Sequence, residues 1–187
     1  MNNMNLDKAI ESLKNGGIIL YPTDTIWGIG CDATDETACQ KIMELKNRST
    51  EKSFIILVDN FKMVEKYIPD FPEVCYDLAD FAVKPLTIIY PNAKGLAPSI
   101  LAQDGSIGIR ITKDPICLKL IQSIKKPIVS TSANISGEPH PTSFSTINQK
   151  IKNGVNEIVS ERIDEKMTTP SQIIKIELNG SVKIIRS

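Results

Sequence analysis

Three clusters of polar side chains have the residue types that bind small anionic substrates. They are Thr23, Asp24 and Thr25, then Lys46, Arg48 and Lys52, then Ser130, Ser132, Asn134 and Ser136. Hydroxyl and amide groups can hold a small polar molecule or the edge of a ribose, and neighbouring cations can neutralise the phosphates of a nucleotide. Arg110 follows an apolar run and adds a planar fork that matches a carboxylate or a phosphate. We therefore predict that these side chains line one cleft.

Each of these clusters also has a purely structural interpretation. Lysines and an arginine at the end of a helix are favoured by the helix macrodipole and are commonly solvated. Serines and an asparagine in a loop are typical of capping and turn formation. Gly28 and Gly30, which follow the first cluster, are typical of a turn or of a close backbone approach. The residue types alone leave both interpretations open.

Several familiar cofactor and catalytic motifs are incomplete or absent. The run Gly28-x-Gly30-x-x-Ala33 satisfies the loose dinucleotide fingerprint, which needs an acidic residue about 20 positions later at the end of the second strand. Glu51 precedes that predicted strand, and Asp59 lies further along the chain than the fingerprint requires, so an NAD site is disfavoured. No G-x-x-x-x-G-K-[ST] sequence occurs, which excludes a P-loop, and no Ser-His-Asp or Cys-His pattern stands out.

The histidine and cysteine content argues against a metal centre. His140, the single histidine, lies between two prolines, which is typical of a surface loop. The four cysteines, Cys31, Cys39, Cys75 and Cys117, form no Cys-x-x-Cys pair. We therefore predict neither a zinc site nor a disulfide framework, and we expect reduced, mostly buried thiols.

Length, charge and hydropathy are those of an ordinary globular protein. The 187 residues are enough for one continuous core, so residues 1–187 are predicted to form a single domain. The 22 basic and 22 acidic side chains give a net charge of zero, so bulk attraction to RNA or a membrane is not expected. The polar residues 1–5 do not read as a signal peptide, and no run reaches the roughly 18 apolar residues of a spanning helix. A cytoplasmic protein without membrane contact is predicted.

Alternating apolar patterns predict an α/β fold that places the clusters beyond strand ends. The run 17–21 reads as a buried strand that Pro22 stops, and a helix over 35–47 leads to a second buried strand over 53–58, in the outline of a βαβ unit. A first helix is predicted to be capped by Asn5 and ended by Gly16. The remaining pattern predicts helices over 60–68, 72–82, 115–124 and 143–152, and strands over 85–90, 106–111, 128–131, 157–160, 172–177 and 182–186. Ligands sit beyond strand ends in open α/β sheets, which favours a cleft.

Taken together, the motifs resemble the YrdC family. They are Tyr21-Pro22-Thr23-Asp24-Thr25 with Gly28-x-Gly30-Cys31-Asp32-Ala33, then Leu45-Lys46-Asn47-Arg48, then Ile109-Arg110-Ile111, then Ser130-Thr131-Ser132-Ala133-Asn134-Ile135-Ser136-Gly137. The resemblance spans about residues 6–186 and implies an α/β fold, with an open twisted mixed β-sheet whose concave active-site face is flanked by helices. It also implies an L-threonylcarbamoyladenylate synthase of the short form, without the extra C-terminal domain. Such an enzyme makes threonylcarbamoyl-AMP and pyrophosphate from L-threonine, bicarbonate and ATP for the t6A37 modification of tRNA.

The resemblance implies roles for individual residues. Lys46 and Arg48 are the catalytic candidates, because an anionic carbamate must attack the anionic α-phosphate of ATP and cations offset the repulsion. The predicted threonine-binding residues are Thr23, Thr25, Arg110 and Ser130, and the predicted ATP-binding residues are Arg48, Lys52, Ser106, Ser132, Asn134, His140 and Arg186. Mg²⁺ is expected to arrive with ATP and neutralise pyrophosphate, and no residue is predicted as a metal ligand. A t6A transferase complex is expected to receive the product, and direct contact with tRNA is possible.

Two other functions fit the same fold. A carbamoyl-adenylate-forming enzyme is disfavoured because the Cys-x-x-Cys zinc modules and the transfer domain of such proteins are absent. An RNA-binding module would use a positive concave face, which the zero net charge does not favour. The chain also has Leu57 where some family members have a histidine, so threonine recognition would depend on Thr23, Thr25 and Arg110, and we expect looser discrimination against serine.

Overall fold

The computed structural model describes residues 3–47, 54–177 and 179–187. The helices within these ranges are α1 (Asn3–Lys14), α2 (Glu36–Lys46), α3 (Phe61–Tyr67), α4 (Val74–Asp80), α5 (Pro115–Ile124) and α6 (Gln149–Gly154). The strands are β1 (Ile19–Tyr21), β2 (Gly28–Gly30), β3 (Ile55–Val58), β4 (Leu86–Tyr90), β5 (Ile107–Ile111), β6 (Ile128–Ser132), β7 (Glu157–Ile158), β8 (Gln172–Ile176) and β9 (Val182–Arg186). Short 3₁₀ turns occur at Pro98–Ile100 and Phe144–Thr146.

The strands form one open sheet of mixed direction. Their order across the sheet is β7-β1-β2-β6-β3-β5-β4-β8-β9, so β7 and β9 are its edges among the described residues. Strand β1 is antiparallel to β2, β3 is parallel to β5, and β4 is parallel to β8. The predicted α/β class, with an open mixed sheet flanked by helices, is confirmed.

The predicted βαβ unit around α2 is wrong. Strands β2 and β6 lie between β1 and β3, and the successive antiparallel pairs make β3 run antiparallel to β1. The error arose because the stretch from Gly28 to Gly30 reads as a turn, whereas it forms strand β2 and pairs on both sides. An apolar run predicts that a strand exists, but its partner depends on strands elsewhere in the chain.

The sheet is covered by an apolar layer on each face, because successive strand residues point to opposite sides. On one face, α1 and α5 pack Leu13 and Leu120 against Tyr21 and Leu57. On the other face, α2 and α3 contribute to a larger cluster of buried residues that contains Ala38, Ile42, Val64, Ile29, Ile56, Ile109 and Val129. Helices α1 and α5 leave part of the first face uncovered, and the candidate site lies there.

The ends of α2 are set by capping residues. The Asp35 side chain accepts a hydrogen bond from the backbone N–H of Ala38, which satisfies one of the open donors at the helix start. Asn47 takes a left-handed conformation with φ of 50° and ends the helix directly after Lys46. The helix predicted over 35–47 is therefore confirmed, and its first and last predicted residues are the two caps.

Two other helices differ from the prediction. Helix α1 begins at Asn3, so Asn5 lies inside it and donates its side-chain N–H to Ser160 Oγ at 2.8 Å instead of capping the helix. The helix predicted over 143–152 is divided into the 3₁₀ turn and α6, because Asn148 caps α6 with its side chain. The polar residue types that are tolerated inside a helix are also the types that cap helices. The sequence pattern therefore does not show which of these two roles a given residue has.

The four cysteines are free and buried, as predicted. Burial raises the pKa of the Cys75 and Cys117 thiols, and a contact with Cys39 raises that of Cys31. Because the thiolate is the reactive form, we expect native protein at pH 8 to react with a thiol reagent at least about 100-fold more slowly than protein unfolded in guanidinium. Absorbance of the released thiol product measures both rates. Rapid labelling of native protein would contradict the burial of these thiols.

Candidate functional site

A cleft of about 830 Å³ opens on the uncovered part of the first sheet face. Its floor includes Gly28 on β2, Ile55 on β3, Thr87 on β4, Gly108 on β5 and Ser130 on β6. Clefts that bind small molecules have volumes of roughly 300–1,000 Å³, so this one has room for more than one small substrate.

Most of the predicted site residues meet in this cleft. Those that line it are Thr25, Ser106, Arg110, Ser130, Ser132, His140 and Arg186. Thr23, Lys46 and Asn134 are described but do not contribute to its lining. Arg48 and Lys52 lie outside the described residues.

The first threonine of the Thr-Asp-Thr cluster holds a turn, and the second lines the cleft. Thr23 is 1% exposed, and its hydroxyl accepts from the backbone N–H groups of Thr25 (3.0 Å) and Ile26 (3.2 Å). The same hydroxyl donates to Ile26 O at 2.8 Å and lies 2.9 Å from the Thr25 hydroxyl, whose oxygen keeps at least one open lone pair whichever of the two groups donates in that contact. The Thr25 oxygen can then accept a hydrogen bond from a ligand.

Strand β2 depends on glycine for its close contact with neighbouring strands. A Cβ atom at Gly30 would lie 2.5 Å from Val129 O and 2.7 Å from Cε1 of Tyr21. A Cβ atom at Gly28 would lie 3.4 Å from Ser130 Oγ, which is an ordinary contact at the edge of the cleft. Gly30 therefore allows a close backbone approach, whereas a methyl group would fit at Gly28, and neither glycine has a positive φ.

Arg110 is a buried cation that faces the cleft. It is 3% exposed, and its Nη2 lies 3.0 Å from Asp24 Oδ1. That distance makes an ion pair, but the angle does not make a hydrogen bond, and Nε and Nη2 have no hydrogen-bond acceptor among the described residues. These two nitrogens form one side of the guanidinium fork, which matches the two oxygens of a carboxylate.

Lys46 is a buried residue, so the interpretation as a solvated helix end is wrong for it. The side chain is 1% exposed, and Nζ donates to the backbone carbonyls of Ser132 and of Asn134, the latter at 2.6 Å. The carbonyl of Lys46 also accepts from the N–H of Ser136 at 2.8 Å. The C-terminal end of α2 therefore holds the loop that follows β6.

Asn134 shapes the same loop. Its Nδ2 donates to the carbonyls of Ile135 (3.1 Å) and Glu138 (2.6 Å). Its Oδ1 is buried and has no hydrogen-bond donor among the described residues. An unpaired buried acceptor is costly, so Oδ1 is the one polar atom of this side chain that the described part of the fold leaves without a hydrogen bond.

Arg186 is held at the cleft by Ser171. Its Nε donates to Ser171 O at 2.9 Å, and the hydroxyls of Ser171 and Thr87 lie 2.8 Å apart. Arg186 is exposed, but partial desolvation and the nearby charge of Arg110 lower its pKa, and the arginine remains charged at neutral pH. The cleft therefore contains two guanidinium groups, which favour an anionic ligand.

An acid and a lysine also line the cleft. Lys175 Nζ lies 3.1 Å from Asp104 Oδ2, and the N–H of Ser106 donates to Asp104 Oδ1 at 3.0 Å. Hydrogen bonding from Ser106 and the charge of Lys175 lower the pKa of Asp104 to about 2. The carboxylate is therefore fully ionised above about pH 4. Its contribution to stability is lost only as the pH falls from about 4 towards the lowered pKa of Asp104.

A comparison with protein-family models matches residues 11–187 to the Sua5_yciO_yrdC model, whose description is telomere recombination. The chain belongs to this family. A threonylcarbamoyl-AMP synthase from Pseudoalteromonas translucida is 34% identical over 179 residues, which are 93% of this chain and 94% of that enzyme. The resemblance predicted from the motifs is confirmed.

Two structures of P. abyssi Sua5 have the same fold. A double variant has a TM-score of 0.89 and 27% identity, and the match covers 100% of this chain and 57% of that protein. A complex with L-threonine has a TM-score of 0.83 and 28% identity, and the match covers 94% of this chain and 52% of that protein. This chain therefore spans about half the length of P. abyssi Sua5.

Several cleft residues of this Sua5/YciO/YrdC chain were not predicted. Thr87, Asp104, Ser171 and Lys175 all line the cleft, and Ser171 contacts Arg186. The sequence signal was a polar segment that ends at Ser171, directly before strand β8. The predicted clusters follow strand or helix ends, whereas Ser171 lies just before the start of a strand.

The described residues contain no group of three His, Cys, Asp or Glu side chains that could hold a metal ion. Asp104 is the carboxylate of the described cleft lining, and it is already paired with Lys175. A divalent ion in this cleft would therefore depend on oxygens that a substrate supplies, such as those of phosphates. In the same ranges, no helix has both the length and the apolar character needed to span a membrane.

Proposed function

We propose that this chain makes threonylcarbamoyl-AMP and pyrophosphate from L-threonine, bicarbonate and ATP. The observation that carries the proposal is the Nε/Nη2 side of Arg110, which has no hydrogen-bond acceptor among the described residues and lies at a cleft of about 830 Å³. Asp24 balances the charge of this buried guanidinium, but the Nε and Nη2 donors still need an acceptor, and the carboxylate of an amino acid has the matching geometry. The match to threonylcarbamoyl-AMP synthases supports L-threonine as that amino acid.

The threonine would lie between the first turn and strand β5. Arg110 would bind its carboxylate, while the Thr25 oxygen accepts a hydrogen bond from its amino or hydroxyl group. Ser130 on β6 lines the same region and adds a further hydroxyl. Thr23 would act indirectly, because its hydroxyl is used within the turn that holds Thr25.

The ATP would occupy the part of the cleft formed by β6, β8 and β9. Its predicted contacts are Ser106, Ser132, His140 and Arg186, with Asn134 in the adjoining loop. Arg48 and Lys52 are proposed to add charge there, although both lie outside the described residues. Mg²⁺ is proposed to enter with ATP, bound through the phosphates, and to neutralise the pyrophosphate that leaves.

The reaction needs two anions to be held against each other. The carbamate oxygen of N-carboxythreonine attacks the α-phosphate, and pyrophosphate leaves with the bond electrons. Arg110 and Arg186 both line the cleft and offset this repulsion, while Lys46 fixes the loop from Ser132 to Asn134. Positioning and charge neutralisation would therefore supply most of the rate enhancement.

The product is a mixed anhydride that water destroys, so a transferase must take it up promptly. We propose that a t6A transferase complex receives it in the cytoplasm, and that residues 1–187 catalyse the synthesis as a single domain. The zero net charge does not favour strong attraction of tRNA by the chain itself.

Pyrophosphate release tests the proposed function. We expect release that requires L-threonine, bicarbonate and ATP together, measured with a coupled enzyme assay in which each component is omitted in turn. Carbamoyl phosphate in place of threonine and bicarbonate tests the alternative carbamoyl-adenylate activity. Release that is independent of threonine, or supported only by carbamoyl phosphate, would contradict the proposal.

We expect L-serine to be accepted measurably in place of L-threonine. Leu57 packs in the apolar cluster beneath α1 and α5 and does not line the cleft, whose apolar lining includes Ile55, Ile89 and Ile173. Contact with an apolar wall distinguishes a missing methyl group by only about 1–3 kcal/mol, or roughly 10–200-fold. Pyrophosphate release with threonine, serine and valine at equal concentrations measures this difference. Serine turnover equal to background would show that another group reads the side chain.

A further inference from the structure

Asp24, between the two threonines of the first turn, forms the ion pair with Arg110. The two side chains are 22% and 4% exposed, respectively, so both are largely removed from solvent. We propose that Asp24 is a positioning residue, which aims the open fork of Arg110 at the carboxylate of the substrate. The inference rests on the proposed function, because it takes L-threonine as the molecule that Arg110 binds.

Asp24 and Arg110 attract each other by charge without forming a hydrogen bond. Asp24 Oδ1 lies 3.0 Å from Arg110 Nη2, but neither atom has a hydrogen-bond partner within the described ranges, and neither does Arg110 Nε. A pair that served only stability would be expected to use these buried groups fully. The Asp24 carboxylate therefore restrains the guanidinium by its charge, while the Nε and Nη2 donors keep their hydrogen bonds for a second carboxylate.

Asp24 is held in place by the turn on both sides of it. The Thr23 hydroxyl accepts from the N–H groups of Thr25 and Ile26, so the backbone at Asp24 is enclosed in a hydrogen-bonded turn. Pro22 precedes this turn and fixes its own φ. A long arginine side chain has many rotamers, whereas a short aspartate on a closed turn has few. Asp24 can therefore set the direction of Arg110.

A second cavity of about 310 Å³ provides a matched control for this pair. Asp24 and Asp80 both line it, and Arg110 does not. Asp80 is exposed and forms no ion pair with another residue of the described ranges. Asp80→Asn therefore removes a carboxylate from the same cavity without touching Arg110.

The test measures KM and kcat of pyrophosphate release for wild type, Asp24→Asn and Asp80→Asn. We expect Asp24→Asn to raise KM for L-threonine by about 10-fold or more, with KM for ATP changed by less than about threefold. Asp80→Asn should change neither value. Asp24→Glu, which keeps the charge, should recover most of the lost threonine affinity.

L-threoninamide distinguishes positioning of Arg110 from a general disturbance of the site. This analogue lacks the carboxylate, so its inhibition constant should be the same, within about threefold, for wild type and Asp24→Asn. An unchanged KM for threonine in Asp24→Asn would overturn the proposal. Equal losses for threonine, threoninamide and ATP would also overturn it, because they indicate a structural role.

A double variant keeps the proposal testable if Asp24→Asn does not fold. Asp24→Asn/Arg110→Leu removes both charges together, and it should bind threonine no more weakly than Arg110→Leu alone. A further loss in the double variant would show that Asp24 acts independently of Arg110 and would overturn the proposal.

Calorimetric binding of L-threonine separates this proposal from the proposed function. Wild type that binds L-threonine but releases no pyrophosphate would contradict the proposed function, while the comparison of Asp24→Asn with wild type would still decide the role of Asp24. Wild type that binds no L-threonine would overturn both.

Discussion

Replacing Lys46 with methionine should lower pyrophosphate release by on the order of 100-fold, because the loop that carries Ser132 at the cleft loses the cation that holds it in position. Lys46 Nζ donates to the carbonyls of Ser132 and Asn134, and Ser132 lines the cleft. Methionine fills a similar volume but donates no hydrogen bond, so the loop after β6 would lose its attachment to α2. The variant should also unfold more easily, by about 2–4 kcal/mol, because buried carbonyls lose their donor.

Lys41→Met is the matched control for this variant. Lys41 lies on the same helix and also donates to a backbone carbonyl, that of Gly16 at 3.1 Å, but it is exposed and does not line the cleft. The activity of Lys41→Met should match that of wild type. Assays at a temperature where circular dichroism shows both variants folded separate loss of catalysis from loss of fold. Wild-type turnover in folded Lys46→Met would refute the role of Lys46.

The position of the cleft could be predicted from the sequence because it depends on local patterns. Thr25 follows a strand that a proline stops, and Arg110 and Ser130 lie in or beside apolar runs that read as strands. These strands exist as predicted, and their polar residues meet on one face. Strand pattern and polar residue type together were sufficient for this part of the site.

The role of Lys46 could not be predicted in the same way. A lysine in the last turn of a helix is favoured by the macrodipole whether it is solvated or buried. The acceptors that decide between the two lie on Ser132 and Asn134, 86 and 88 residues further along the chain. Such contacts depend on the order of strands in the sheet, and the pattern predicted the existence of the strands without their pairing.

The same limit applies to Thr23 and to Ser171. The two threonines of the first turn are identical in type and two residues apart, and only the turn geometry shows that Thr23 bonds within the turn while Thr25 lines the cleft. Ser171 reaches Arg186 because β8 and β9 pair as neighbours. Each of these roles depends on the distance between two groups in the folded chain, and residue types alone do not specify that distance.

Replacing Gly30 with alanine should destabilise the fold by about 3 kcal/mol, because it forces a methyl group into a packed sheet. The added Cβ would lie 2.5 Å from Val129 O and 2.7 Å from Cε1 of Tyr21. Val129 O belongs to the backbone of β6 and also accepts from the Tyr21 hydroxyl at 3.1 Å, so neither neighbour can move without loss of another contact. Strand β2 would have to shift, and β1 and β6 pair with it on either side.

Gly28→Ala is the control, because it adds the same methyl group on the same strand. Its Cβ would meet Ser130 Oγ at 3.4 Å, an ordinary contact, so its free energy of unfolding should stay within about 1 kcal/mol of wild type. Urea titrations followed by the fluorescence of Trp27, the single tryptophan, measure both values. Gly28 lines the cleft, so the methyl group added in this control should reduce the space beside Ser130 without reducing stability. Equal stability of the two variants would refute the close packing of β2 against β6, which brings Ser130 and Ser132 to the same face as Thr25.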